Sequence, residues 1–217
     1  RVTQYVYNGD YGSNKVKFGA YYGGSSKRNI KNVDLKNNRK NTWGTGLIFN
    51  HEIDSIQNVT VAAGFTRQIS ENANKTAYYS NAYALGLAYN FVHTTYGLDL
   101  AHKDTKNKGG AGNKVKNNEV TAVIRQGLNE DWNVYAMYSY KTEKTLPVGS
   151  AYSKSTDRQF LVGTEYYVFK QGSVKVKPFI EWQATRTKYE NTFDKDSGKQ
   201  LDRSRDFKTV IGLRAYW

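Results

Sequence analysis

A chain of 217 residues with 18 Tyr, 9 Phe and 4 Trp, but no Cys and only 2 Pro, has room for one large domain and relies on no disulfide. Its mean hydropathy of −0.75 and its short apolar runs exclude a transmembrane helix, though not a membrane barrel, whose strands meet lipid only at every second residue. The formal net charge of +13 fits a Lys-rich solvated surface, a nucleic-acid binder, a lumen that favours anions, or loops facing the phosphates of lipopolysaccharide, and charge alone does not choose among them.

Alternation with a period of two sets the elements. In chain order it predicts about eleven strands, over 1–8, 14–24, 40–51, 58–70, 76–91, 94–104, 116–127, 132–144, 156–169, 173–190 and 203–217. Val59, Val61, Ala63 and Phe65 alternate with Thr60, Ala62, Gly64 and Thr66. Tyr83, Leu85, Leu87, Tyr89 and Phe91 alternate with Ala82, Ala84, Gly86, Ala88 and Asn90, and Val134, Ala136, Tyr138 and Tyr140 with Asn133, Tyr135, Met137, Ser139 and Lys141. One face is apolar or aromatic and the other polar, small or charged. Gly at so many positions of the second face argues against a packed interior and for a lumen that holds water.

The predicted connections alternate in length. Short ones lie near Asn8–Asn14, His51–Gln57, Val92–Thr94, Asn129–Asp131 and Lys170–Gly172. Longer polar ones lie near Ser25–Lys40, Lys103–Lys116, Thr145–Ser155 and Asn191–Asp202, with a smaller one at Glu71–Lys75. Short periplasmic turns opposite long external loops are the pattern of an outer-membrane barrel. Trp43, Phe91, Trp132, Tyr166, Trp182 and Trp217 gather near strand ends, as an interfacial girdle requires. The whole chain, 1–217, therefore reads as a single transmembrane antiparallel β-barrel domain.

The last segment carries the most specific pattern. Thr209, Ile211, Leu213, Ala215 and Trp217 form its lipid face, while Lys208, Gly212, Arg214 and Tyr216 face inward. A strand that ends flush on an aromatic residue resembles the assembly signal of outer-membrane proteins, here with Trp217 in place of the usual Phe.

That last strand must run down to the periplasm, so eleven alternating strands make the first one start outside the cell. Bacterial barrels normally have an even strand number, and an open edge would leave N–H and C=O groups unpaired in lipid. Strands upstream of Arg1 are therefore expected to be missing, and with no leader-like segment before Arg1 the chain is expected to be mature or trimmed.

Four stretches carry a family resemblance: Asn129-Glu-Asp-Trp-Asn-Val-Tyr135, Tyr89-Asn-Phe91 leading to Leu98-Asp-Leu100, Phe179-Ile-Glu-Trp182 followed by Arg186-Thr-Lys188, and Ile211-Gly-Leu-Arg-Ala-Tyr-Trp217. With them the chain resembles the carboxy-terminal two-thirds of a general diffusion porin, of the kind found as major porins in Haemophilus- and Pasteurella-type bacteria. The opening Arg1-Val-Thr-Gln-Tyr resembles the strand after the inward-folded third loop. The resemblance implies a share of a 16-stranded barrel, a homotrimer in the Gram-negative outer membrane, and contacts with lipid and lipopolysaccharide. It also implies that the constriction residues lie upstream of Arg1.

By parity the remaining inward charges include Lys17, Arg125, Lys141, Lys208 and Arg214, opposed by Asp99, Glu119, Glu165, Glu181 and Asp206. They are expected to pair across the wall and keep it wet rather than act directly on solutes.

No catalysis, metal or cofactor is expected. His51 and His93 fall at turns, His102 points to the lipid side, and no His meets an acidic partner. Asp194-Lys-Asp196-Ser-Gly198 lacks the twelfth-position Glu of a calcium loop, and Gly109-Gly-Ala-Gly-Asn-Lys114 lacks the ending of a phosphate loop. Asn58-Val-Thr60 and Asn74-Lys-Thr76 match glycosylation acceptors, a pattern common by chance. The expected function is passive diffusion of small hydrophilic solutes and ions. Alternatives are a 12-stranded channel for acidic oligosaccharides and a non-conducting surface barrel that binds host ligands. Nucleic acid is not an expected partner, because most aromatics sit on the apolar face rather than beside Lys and Arg.

Overall fold

The computed structural model describes residues 2–25, 37–72, 77–107, 114–147, 151–172, 174–193 and 200–216, with the backbone alone at 37–39 and 71–72. Among these the secondary structure is strand throughout: β1 (Val2–Tyr11), β2 (Asn14–Gly23), β3 (Asn37–Asp54), β4 (Gln57–Asn72), β5 (Ala77–Phe91), β6 (Thr94–Asn107), β7 (Lys114–Gly127), β8 (Trp132–Leu146), β9 (Ser153–Tyr166), β10 (Phe169–Gln171), β11 (Val174–Glu190) and β12 (Arg203–Tyr216). Each long strand pairs antiparallel with its neighbours in sequence, giving one sheet. The sheet does not close: β1 pairs with β2 and β12 with β11, and β1 and β12 do not touch.

β10 is not an additional stave. Its three residues pair with Val174–Val176 on the same side of β11 that β9 covers further along, so β10 continues β9 past a break at Tyr167 and Val168. Val168 N–H still reaches Val176 C=O at 3.0 Å across that break. Eleven segments therefore cross the sheet, as the alternation predicts, with boundaries that differ at the turns.

The largest boundary difference is in β1. Asn8-Gly9-Asp10 resembles a turn, yet the strand runs on to Tyr11, with Asn8 opposite Lys17 and Asp10 opposite Lys15. The turn itself is Gly12-Ser13, where Gly12 takes φ +69°. Gly9 serves packing instead: Tyr7 and Tyr11 close over it with their hydroxyls 2.5 Å apart, and a Cβ there would lie 2.6 Å from the Tyr11 ring. Similarly β3 passes the expected turn at His51 and continues to Asp54, whose carboxylate caps Ile56 N–H at 2.9 Å. Lys170–Gln171 belongs to β10 rather than to a turn.

The chain between strands alternates in length, with β2–β3, β4–β5, β6–β7, β8–β9 and β11–β12 linked by the longer segments and the opposite end by turns. Side-chain direction follows the register. Leu85, Leu87 and Tyr89 share a face with their partners Leu100, Leu98 and Tyr96, while Ala84 and Gly86 share the other with Ala101 and Asp99. Among the described residues no apolar side chain is buried. Leu85, Leu87 and Ile211 are 47, 45 and 76 % exposed, so neither face encloses a dry core. An apolar face this extensive needs a non-aqueous solvent.

Candidate functional site on the inward face

The face that carries Gly and charge bends around open space. A cavity of about 940 Å³ is lined by Val2 and Gln4 of β1 and by Lys141 and Glu143 of β8, with Gly19, Gly46, Gly64 and Ala84 between them. First and eighth strands can share one cavity only if the sheet curls with this face inside.

Cross-strand glycines keep side chains flat against this wall. Tyr135 lies directly opposite Gly163 and Phe179 directly opposite Gly212. A Cβ at Gly163 would sit 2.6 Å from the Tyr135 ring, and one at Gly212 2.5 Å from the Phe179 ring. The rings thus occupy the space a side chain would take, the aromatic rescue of a strand glycine.

Laid down in this way, the rings frame an ionic cluster near the short-turn end of β7, β8, β9, β11 and β12. Glu165 is its centre and only 4 % exposed. Its Oε1 accepts from Arg125 Nη2 at 2.9 Å and from Lys177 Nζ at 2.8 Å, and its Oε2 from Arg214 Nη1 at 2.8 Å. Arg214 Nη2 donates to Glu181 Oε1 at 2.8 Å, which also accepts from Tyr135 Oη at 2.6 Å. The Arg214 guanidinium stacks 4.1 Å above the Phe179 ring. Lys177, 6 % exposed, lies between the Tyr167 and Tyr216 rings at 5.1 and 5.4 Å. Three cations here surround two carboxylates, so the cluster keeps a positive excess.

Of the residues singled out by parity, the structure brings Arg125, Arg214, Glu165 and Glu181 into this cluster. The others share the face but stand elsewhere on it. Lys141 is opposite Glu119 and Asp157, Lys208 Nζ meets Asp206 at 3.1 Å within β12, and Lys17 and Asp99 line a second hollow of about 620 Å³. Lys177 and Tyr135 are the cluster members that charge selection by parity overlooks. The alternation that turns Glu181 and Phe179 inward turns Lys177 inward as well. On the outward face of β12, Ile211, Leu213 and Ala215 lie opposite Ile180, Pro178 and Val176. Trp217 lies outside the described residues, as do Asp194–Gly198, Gly109–Asn113 and Asn74–Thr76.

No protein-family model and no curated protein matches the chain. Solved structures do. A loop L8 deletion mutant of OmpT from Vibrio cholerae aligns over 100 % of this chain and 62 % of its own, with a TM-score of 0.59 at 16 % identity. The in-vitro folded trimer form of OmpT aligns with 0.59 at 15 %, and OmpT expressed in the outer membrane with 0.58 at 16 %, each over 64 % of its own chain. The fold is that of an outer-membrane β-barrel. The chain spans somewhat under two-thirds of the OmpT chains, and both the all-β antiparallel architecture and the Gram-negative outer-membrane setting expected from sequence are theirs.

One expectation is corrected. The sequence excludes catalysis on the ground that no His meets an acid, yet His102 Nε2 lies 3.2 Å from Asp104 and its Nδ1 2.6 Å from Asn118. The pair arises because residues two apart share a strand face, here the outward one. The likeness to OmpT at 15–16 % identity carries the barrel fold and gives no ground for excluding an enzyme, so the exclusion does not stand. His51 is held by Asn14 Oδ1 at 2.9 Å, and His93 sits in the β5–β6 turn.

Proposed function

We propose that the chain forms part of the wall of a water-filled outer-membrane pore of the general diffusion type, passing small hydrophilic solutes and ions. The observation that carries this is the division of each strand. Apolar side chains are exposed on one face, and Gly, Ala and charged groups line an open hollow on the other. A barrel that only anchored external loops would have no need to lay Tyr135 and Phe179 flat over glycines, which keeps the bore wide. Selectivity would follow lumen width and charge sign, here biased toward anions by the cluster around Glu165.

The 12-stranded alternative is disfavoured, because β10 has three residues where a transmembrane strand needs roughly 9–11. The free edges of β1 and β12 would each pair with further strands, which a 16-stranded barrel supplies. Homotrimer assembly and an assembly role for the β12 segment with Ile211, Leu213, Ala215 and Trp217 belong to the same proposal. OmpT itself has a trimer form.

The test is single-channel recording in planar bilayers with intact protein, together with a reversal potential in a salt gradient. Stepwise conductance with anion preference is the expected result. Absence of conductance from folded protein would favour a non-conducting surface barrel.

A further inference from the structure

The outward face carries a row of like charges that the pore proposal leaves unused. Arg158 of β9 lies directly opposite Arg186 of β11, and Arg186 directly opposite Arg205 of β12. Tyr140 of β8 continues the row, with the Arg158 guanidinium 5.9 Å from its ring. All three arginines are exposed. Among the described residues no carboxylate lies within ion-pair distance of any of them. The nearby Lys188 and Arg203, opposite each other one row further out, do have acidic neighbours, in Glu190 at 3.7 Å and Asp202 at 3.9 Å. Like charges directly across a strand pair are destabilising. Three in a row are an arrangement that calls for an anion.

The height of the row says which anion. Below it on the same face stand Tyr138, Phe160, Ala184 and Phe207, then Ala136, Val162, Trp182 and Thr209, and at the turn end Trp132 and Tyr166. From Trp132 to Tyr140 is eight steps of β8 at ~3.4 Å each, or ~27 Å along the strand, and at a tilt of ~40° about 21 Å along the barrel axis. That is close to the ~25 Å height of a barrel's apolar band. The arginines thus stand where the band ends on the long-loop side, at the depth of outer-leaflet headgroups. With strands ~4.8 Å apart the row spans about 10 Å, and guanidinium pairs bind phosphate oxygens in fork geometry.

We propose that Arg158, Arg186 and Arg205 form a binding site for the phosphate of an outer-leaflet glycolipid, held against the outer wall with its acyl chains along Phe160, Trp182 and Phe207. The site rests on the transmembrane barrel reading and is independent of whether the barrel conducts.

The probe is bisphosphorylated lipid A titrated into the purified full chain in non-ionic detergent, with adducts counted by native mass spectrometry. The wild type is expected to bind at least tenfold more tightly than R158Q/R186Q/R205Q, with R158K/R186K/R205K between the two because lysine keeps the charge and loses the fork. Dephosphorylated lipid A should bind wild type no better than the glutamine variant, and inorganic phosphate should not displace the lipid. Equal affinity of wild type and the glutamine variant, equal binding of the dephosphorylated lipid, or displacement by inorganic phosphate would each overturn the proposal. Folding is checked by heat-dependent gel mobility. Should the triple variant not fold, R186Q alone is read, with a loss of at least threefold expected and no loss overturning. Conductance separates the two proposals: normal channels without lipid discrimination sink the arginine site alone, and lipid discrimination without channels sinks the pore alone.

Discussion

Arg214 Nη1 donates to Glu165 Oε2 at 2.8 Å across the whole width of an intervening strand. The two residues belong to β12 and β9, which do not pair with each other, so the bond staples three strands rather than two. Arg125 on β7 extends the staple one strand beyond β8. Ladder hydrogen bonds join only neighbours, and this cluster ties five consecutive staves at the turn end of the wall.

Glu165→Gln removes the charge that separates three cations, leaving Lys177 and Arg214, which are directly opposed in the ladder, without their shared counter-ion. Breaking a buried pair from one side costs about 3–5 kcal/mol. Because both arginines keep access to water, a loss near the low end, ~3 kcal/mol, is expected in urea unfolding of vesicle-folded protein followed by Trp fluorescence. A change within ~0.5 kcal/mol would mean that the cluster is surface decoration.

Gly163→Ala places a methyl group where the Tyr135 ring now lies, with contacts of 2.6 Å. The backbone of β9 is fixed by partners on both sides, so the ring is what must lift, giving up its bond to Glu181 and projecting into the hollow. Overpacking of this kind costs roughly 1–3 kcal/mol. The informative readout is single-channel conductance, which should fall in Gly163→Ala and recover in the double variant that also carries Tyr135→Ala.

Lys141→Glu tests charge selection away from the cluster. Lys141 faces Glu119 on one side and Asp157 on the other, and its replacement sets three carboxylates side by side on the inward face. The reversal potential in a KCl gradient should move toward cation preference. The same exchange at Lys144, on the outward face beside the Tyr152 ring at 4.1 Å, should leave it unchanged.

Which face each residue takes is legible in the order of amino acids, because alternation is a local property that neighbouring residues display by themselves. Glu165, Glu181 and Arg214 point inward as their parity says. Which of them meet is not legible there, since that depends on register. Glu165, Phe179 and Gly212 share a row only because the β9–β11 and β11–β12 pairings fall as they do. Lys177 is within reach of the same parity rule and is overlooked beside the more conspicuous Glu181. Asn8-Gly9-Asp10 misleads for a physical reason: glycine marks turns when φ must be positive, but at Gly9 its value is the missing Cβ beneath two tyrosine rings. Parity puts His102 on the correct face, but a search for distant acids passes over its partner Asp104, two residues along the same face.

If the two faces meet different solvents, adjacent residues on one strand must respond differently to the same charge. Ile124 sits outward between Tyr96 and Ala136, level with Val162 and with Trp182, which is mid-strand rather than in the girdle expected of it from sequence, in the middle rows of the apolar band. Its neighbour Val123 points inward, between Gly97 and Met137. An arginine on the lipid face near the midplane costs about 2–4 kcal/mol, whereas in an aqueous lumen it keeps its hydration. Ile124→Arg should therefore lose several-fold more folding free energy in vesicles than Val123→Arg, which is expected to stay within about 1 kcal/mol of wild type. The two variants have the same chemistry, the same strand and consecutive positions, so propensity and global charge cancel. If both lose the same amount, the outward face does not see hydrocarbon, and a wall around water is the wrong description of this sheet.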